Sequence, residues 1–145
     1  MRAPDLSHLV LWTLALFITL GALGCANRNV NMTPSSSVPA ASATVKTGQD
    51  SNGNTSIDMQ VQHLAPPDRL TPPATAYIVW IKPANAEPRN EGRLTVGENL
   101  SARFQTVTPA KQFEIFVTAE SDQLTTTPAG QEVLRQSVAT QSAAE

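Results

Sequence analysis

The sequence predicts a small all-β domain, an immunoglobulin-like β-sandwich of six or seven antiparallel strands, carried behind a disordered linker. Three observations predict it. From Ser56 onward, apolar and polar residues alternate with period two, the signature of half-buried strands. Turn-forming residues recur at intervals of roughly 8–12 residues, the rhythm of a sandwich or barrel. Charged residues make up 15% of the 145-residue chain, against about 25% in ordinary domains, so long helices laced with surface ion pairs are not expected.

The elements follow in order. Ile57, Met59 and Val61 alternate with Asp58, Gln60 and Gln62, which makes the first strand. Ala65-Pro66-Pro67-Asp68 breaks it. Thr75 to Lys82 is apolar on both faces, with Tyr77, Val79 and Ile81 on one and Ile78 and Trp80 on the other. A strand of that kind belongs at the centre of a sheet, covered on both sides. Pro83 to Glu91 reads as a loop closed by Gly92, and Arg93 to Val96 as a short strand. Gly97-Glu98-Asn99 is turn chemistry. Leu100 to Thr106 is the next strand, with Leu100, Ala102 and Phe104 on one face. Gln112 to Glu120 turns Phe113, Ile115 and Val117 inward and leaves Phe116 as an outward exception. Ser121 to Gly130 is a loop. Glu132 to Thr140 is a last strand around Val133, Leu134 and Val138, although a short helix fits that stretch nearly as well. The domain is therefore expected over 56–140, with 141–145 a disordered tail.

The N-terminus reads as an address. Leu9 to Leu20 is an apolar run interrupted only by Thr13 and Thr19, preceded by a short polar start with Arg2 and followed by Gly21-Ala22-Leu23-Gly24-Cys25. A charged start, an apolar core and small residues before a cut site describe a secretory signal peptide, here 1–24. The stretch to Ala26 is about 18 residues, the lower edge for a membrane span, so an uncleaved signal anchor is the alternative. Cys25 is the sole cysteine, which excludes an internal disulfide and a thiolate zinc site. Its placement after Ala22-Leu23-Gly24 resembles the lipobox of bacterial lipoproteins, with Ala22 standing where Leu is usual and Leu23 larger than usual. The resemblance implies cleavage before Cys25 and attachment of fatty acyl chains to it. Two or more chains anchor firmly where one is marginal. The expected partner is thus a membrane, reached through a lipid anchor, in an extracytoplasmic cell-envelope setting. With Ala at position 26 the sorting rules of the family imply the outer membrane wherever the source has two. Residues 25–55 read as anchor and disordered linker. Asn27 to Thr55 is rich in Ser, Thr, Ala, Asn, Pro and Gly and looks unable to offset its ordering entropy. A flexible chain of roughly 29 residues spans about 30 Å, which would lift the domain off the bilayer.

Tyr77-Ile78-Val79-Trp80-Ile81, Gly92, the strand Phe113 to Glu120 and Pro128-Ala129-Gly130-Gln131-Glu132-Val133-Leu134 are together similar to the extracytoplasmic C-terminal domain of anti-sigma-K-type factors. The likeness covers about Ala74 to Val138. It implies the fold and an extracytoplasmic place. It does not imply sigma regulation, because only a few residues precede the apolar run and Ser121-Asp122 replaces the Gly-Gly that often follows the acid in that family.

Most chemistry finds no residues to perform it. Net charge is -2, without the basic face that nucleic acid requires, so no nucleic-acid partner is expected. His63, which might be grouped with Asp58 or Asp68 and a serine, lacks a G-x-S-x-G elbow and reads as a strand-end residue. Glu87, Glu91, Glu114, Glu120, Asp122 and Glu132 are scattered rather than paired. Asp50-Ser51-Asn52-Gly53-Asn54 begins like a calcium loop but lacks its later ligands. Arg89, Arg93 and Arg103 read as a solvated strand face, Tyr77 and Trp80 as core, and Glu120 as an acid that orders the following turn through backbone N–H bonds. No cofactor and no catalysis are expected. The function expected is a structural or protein-interaction module with an envelope protein as further partner; the alternative is a sensor or ligand-binding accessory of an envelope signalling system.

Overall fold

A computed structural model describes residues 28–140. The expected signal peptide, Cys25 and the expected tail at 141–145 lie outside the described residues. The chain is all-β. Its strands are β1 (Arg28–Pro34), β2 (Ser42–Gln49), β3 (Thr55–Gln62), β4 (Ala76–Pro83), β5 (Arg89–Leu94), β6 (Ala102–Thr108), β7 (Gln112–Glu120) and β8 (Gln131–Ala139), with one 3-10 turn at Pro67–Arg69.

All pairings are antiparallel, and the order across the sheet is β5-β4-β7-β8-β1-β2-β3-β6. The β1–β8 ladder is short, joining Thr33 to Arg135 and Pro34 to Leu134, and the sheet folds over at that point. This brings its two end strands face to face. Thr106 Oγ1 of β6 donates to Glu91 Oε2 of β5 at 3.1 Å, and a Cβ placed on Gly92 would lie 3.4 Å from the Phe104 ring. The result is an eight-stranded sheet that nearly closes into a barrel. Its interior holds Val45 from β2, Met59 from β3, Tyr77 and Val79 from β4, Ile115 and Val117 from β7 and Leu134 from β8, none with exposed surface. Fully burying a side chain of this size contributes about 1.5–3 kcal/mol, so these seven anchor all the inner layers at once.

Two bulges adjust the pleat. Gly92 faces Val79 and Asn90 faces Trp80, so Glu91 is an extra residue on β5. Bulges re-aim side chains, and this one sends Glu91 across the seam to Thr106. Gly92 takes φ +136 there, a conformation that side chains resist. On β8, Leu134 faces Val117 and Glu132 faces Thr118. Val133 is the surplus residue, and both Val133 and Leu134 are buried.

The expected disordered linker is corrected. Residues 28–34 and 42–49 are strands of the same sheet as the rest. In β2, Ala43, Val45 and Thr47 alternate inward at 5, 0 and 2% exposure. The period-two pattern is present but written in Ala, Thr and a single Val. Threonine and valine favour the pleated conformation, while Ser- and Ala-rich composition reads as linker. Val38 and Ala41 in the β1–β2 connection are buried as well. Among the described residues the domain therefore includes Arg28–Gln49, well ahead of Ser56, and has eight strands rather than six or seven.

The six strands expected from Ser56 onward all form. β5 starts at Arg89, because pairing with Ile81 extends back into the expected loop. Leu100 is not the first residue of β6: it occupies a turn at φ 58, where its carbonyl accepts from Leu64 N–H. The last element is a strand and not a helix.

Candidate functional site

β4 is buried on both faces, but only one face belongs to the barrel interior. Ala76, Ile78 and Trp80 form a second apolar cluster with Phe116 of β7 on the outside of the sheet. Among the described residues no second sheet covers it. The cover is the loop Ser121–Gly130, which folds back across β4 and β5. Asn90 Nδ2 donates to the carbonyl of Thr125 at 2.8 Å and Arg93 Nη1 to Gln123 Oε1 at 3.4 Å. At its C-terminal end the loop passes so close to β7 that a Cβ on Gly130 would meet the Ala119 carbonyl oxygen at 1.9 Å. Only glycine fits there.

A buried polar chain fastens the loop. Trp80 Nε1 donates to Thr118 Oγ1 at 2.8 Å. The Thr118 hydroxyl donates in turn to Glu120 Oε1 at 2.6 Å, and Ala129 N–H donates to the same oxygen at 3.1 Å. Alternation along β7 puts 116, 118 and 120 on one face, and the strand register sets Trp80 opposite Phe116. Glu120 thus accepts a backbone N–H from the loop that follows it, as expected, although from the loop's far end. Beyond Phe116, the Arg135 guanidinium lies 4.6 Å over its ring and bonds Glu132 and Glu114 at 2.5–2.8 Å. The Glu132 carboxylate is the main cause of an Arg135 pKa above its ordinary value, with burial opposing and Glu114 adding. Among the described residues no buried side-chain polar atom lacks a partner. The arrangement holds a loop down.

The remaining residues singled out in the sequence are placed apart. Cys25 lies outside the described residues. His63 is exposed at the end of β3 with φ 56. Asp58 is not beside a histidine but paired with Arg103, Nε to Oδ1 at 2.9 Å and Nη2 to Oδ2 at 2.6 Å. The Arg103 guanidinium holds the Asp58 carboxyl below the usual carboxylate range. Arg103 is therefore engaged on β6, while Arg93 reaches the covering loop, so these two point to separate tasks. Asp50 is the organising residue of the β2–β3 turn: its Oδ1 accepts from Asn52 N–H at 2.9 Å and Asn54 N–H at 2.8 Å, and its Oδ2 from Asn54 Nδ2. The Asn54 backbone bond leads the causes that lower its pKa. Its oxygens serve the turn. Tyr77 is core, with its hydroxyl donating to the Ala65 carbonyl at 2.7 Å and burial pushing its pKa up to about 12. No group of three or more His, Cys, Asp or Glu side chains converges among the described residues.

The two ends of the barrel differ. At one end the chain enters through Arg28, whose Nη1 reaches toward the Ala139 carbonyl at the end of β8. The β2–β3 turn, the β6–β7 turn and Thr140 share this end. Lys111 Nζ donates to the Gly53 carbonyl, and both Thr140 N–H and Thr140 Oγ1 donate to the Lys111 carbonyl. A shallow open depression beside them is lined by Lys82, Pro83, Gln112, Phe113, Ser137 and Ala139 among others. The opposite end carries the β1–β2 connection, His63, the Pro67–Arg69 turn, Gly97–Ser101 and the root of the covering loop.

No family model matches this chain, and neither the curated proteins nor the solved structures contain a match to it.

Proposed function

We propose that this chain is a lipid-anchored protein of the bacterial cell envelope, acylated at Cys25, whose β domain serves as a structural or protein-interaction module without catalysis. The observation that carries the reading is the order of segments: an apolar run, then Gly24-Cys25, then a β domain whose first described strand opens at Arg28. Small residues ahead of a lone cysteine suit cleavage and acylation there. The mutually satisfied polar groups under the covering loop suit a rigid module. The finer description of the fold as immunoglobulin-like belongs to the same reading: β5-β4-β7-β8 and β1-β2-β3-β6 are two facing layers of a flattened barrel, joined by the short β1–β8 ladder.

Metabolic labelling with an alkyne fatty acid tests the anchor. Wild-type protein is expected to take the label and Cys25→Ser to lose it; equal labelling of both defeats the proposal. The second reading is a sensor or ligand-binding accessory of an envelope signalling system. It is favoured by the likeness of Tyr77-x-x-Trp80, Gly92 and Thr118-x-Glu120 to the anti-sigma-K-type domain. It requires a partner in the membrane, so capture of one defined membrane protein by the tethered domain separates it from the first.

A further inference from the structure

We infer that the end of the barrel formed by Arg28, the Asp50–Asn54 turn and Lys111 rests directly on a phospholipid bilayer with anionic headgroups. The inference rests on the acylation of Cys25 proposed above and adds what the fold does with it. Only Ala26 and Asn27 separate Cys25 from the first residue of β1. Successive Cα atoms are about 3.8 Å apart, so three steps of chain reach about 11 Å at most. A flexible chain starting at Cys25 and ending at Ser56 would have held the domain clear of the surface. With β1 and β2 built into the sheet, that spacer is gone.

The short spacer selects one end. Strands of this length, at about 3.3 Å per residue, set the two ends of the barrel roughly 25 Å apart, more than twice the reach of the tether. The far end, with Glu98, cannot be the end on which the barrel stands while Cys25 is inserted; that position falls to the entering end. Charge agrees with the assignment. Arg28, Lys82, Arg89 and Lys111 lie at or near the entering end against Asp50 and Glu87, with Lys46 beside Asp58 and Glu114 engaged by Arg135. At the far end Asp68, Glu98 and Asp122 are matched by Arg69, Arg93 and the Asp58-paired Arg103, with no basic excess. Basic residues beside a surface of anionic lipid each add to attachment within a Debye length, and the far end lacks that excess. The lipid chains supply the anchor and the rim supplies the orientation.

The test uses the full-length protein produced with its own N-terminus. Acylated Cys25 has no free thiol, so one cysteine introduced as Asn52→Cys in the β2–β3 turn, or as Glu98→Cys at the far end, accepts a single environment-sensitive fluorophore. Both side chains are exposed. The proteins are placed in vesicles of phosphatidylcholine and phosphatidylglycerol containing brominated lipid, and intact mass reports the acyl chains. Quenching at residue 52 with none at residue 98 is the expected result, and it should weaken when phosphatidylglycerol is omitted. Equal quenching at both positions, or at neither, in a protein carrying its acyl chains overturns the docking and leaves the anchor standing. A mass without acyl chains, with label also on Cys25, overturns the anchor and the docking together.

Discussion

β4 and β2 are both interior strands, each hydrogen-bonded on two sides, yet their sequences differ completely. β4 reads AYIVWIKP and has six consecutive buried residues; β2 reads SATVKTGQ and buries every second one. The difference lies in what covers their outer faces. The outside of β4 lies under the loop Ser121–Gly130, so it must be apolar. The outside of β2 meets solvent, so Lys46 and Ser42 are at home there. The conspicuousness of a strand in sequence therefore measures how many of its faces are covered, and not how firmly it belongs to the sheet. Both strands bury a residue of zero exposure against the same interior, Val45 from one and Val79 from the other.

The comparison breaks most decisively by removing β1 and β2. A protein starting at Ser56 leaves the inner faces of Ile57, Met59 and Val61 uncovered on one side and strips β8 and β3 of their neighbours. It is expected not to fold, and limited proteolysis of the full chain should leave a resistant fragment beginning near residue 28, since strand backbone is protected by its ladder. A resistant fragment beginning near residue 56 would show that β1 and β2 are dispensable. Next in size is Trp80→Ala, expected to cost about 3–5 kcal/mol in chemical denaturation, as large-to-small changes at fully buried aromatic sites do. Trp80 is also expected to fluoresce as a buried indole. Both results would place the outer cluster on a par with the barrel interior, and a loss under 1 kcal/mol would reduce it to surface decoration.

Smaller effects sharpen the contrast. Val45→Ala in the quiet strand should cost about 2 kcal/mol, the removal of two buried methyl groups plus the void they leave, whereas a disordered segment would register nothing in the same melt. Thr118→Val deprives Trp80 Nε1 of its acceptor and Glu120 of a donor. Leaving a buried donor unsatisfied costs about 1–3 kcal/mol, and the loss should appear with faster proteolysis within 121–130. The least change is expected from Asp58→Asn. The pair with Arg103 is exposed, at 24% and 60% of the side chains, and such pairs contribute little. The sign is fixed by linkage: the Asp58 carboxyl titrates below its ordinary 3.8 in the folded protein. Its contribution is full above that value and fades as pH falls through the lowered one. Wild type and variant should accordingly converge in thermal stability on acidification from neutrality toward pH 2; a gap that widens on acidification contradicts the pairing.

How much of this was legible follows from the same physics. The strands from β3 to β8 announce themselves because large apolar residues recur at period two or cover both faces. Phe116 carried the information about the outer cluster. An outward phenylalanine opposite an outward tryptophan is costly unless something lies over both. What lay over them was illegible, because a loop without regular structure leaves no periodic trace. β1 and β2 were missed because composition outweighed pattern: Thr47 and Ala43 are inner-face residues with no hydrophobic bulk to advertise it. The seam between β5 and β6 was likewise invisible, since it depends on a bulge at Glu91 that shifts one residue out of register. Of the residues nominated for chemistry, most found structural employment, Asp50 in a turn, Asp58 in an ion pair and Glu120 beneath the loop.

That seam has a consequence for how the domain meets its neighbours. Strand edges are templates for joining one chain to another, and proteins confined to a membrane meet each other at far higher effective concentration than the same number of molecules free in solution. Here the two edges of the sheet are turned on each other, with the Glu91–Thr106 bond and the Phe104 ring against Gly92 filling the gap. Side chains, not a backbone ladder, close the gap between them. A population of such domains confined to a surface, as proposed above, would meet with these edges turned inward rather than offered to a neighbour.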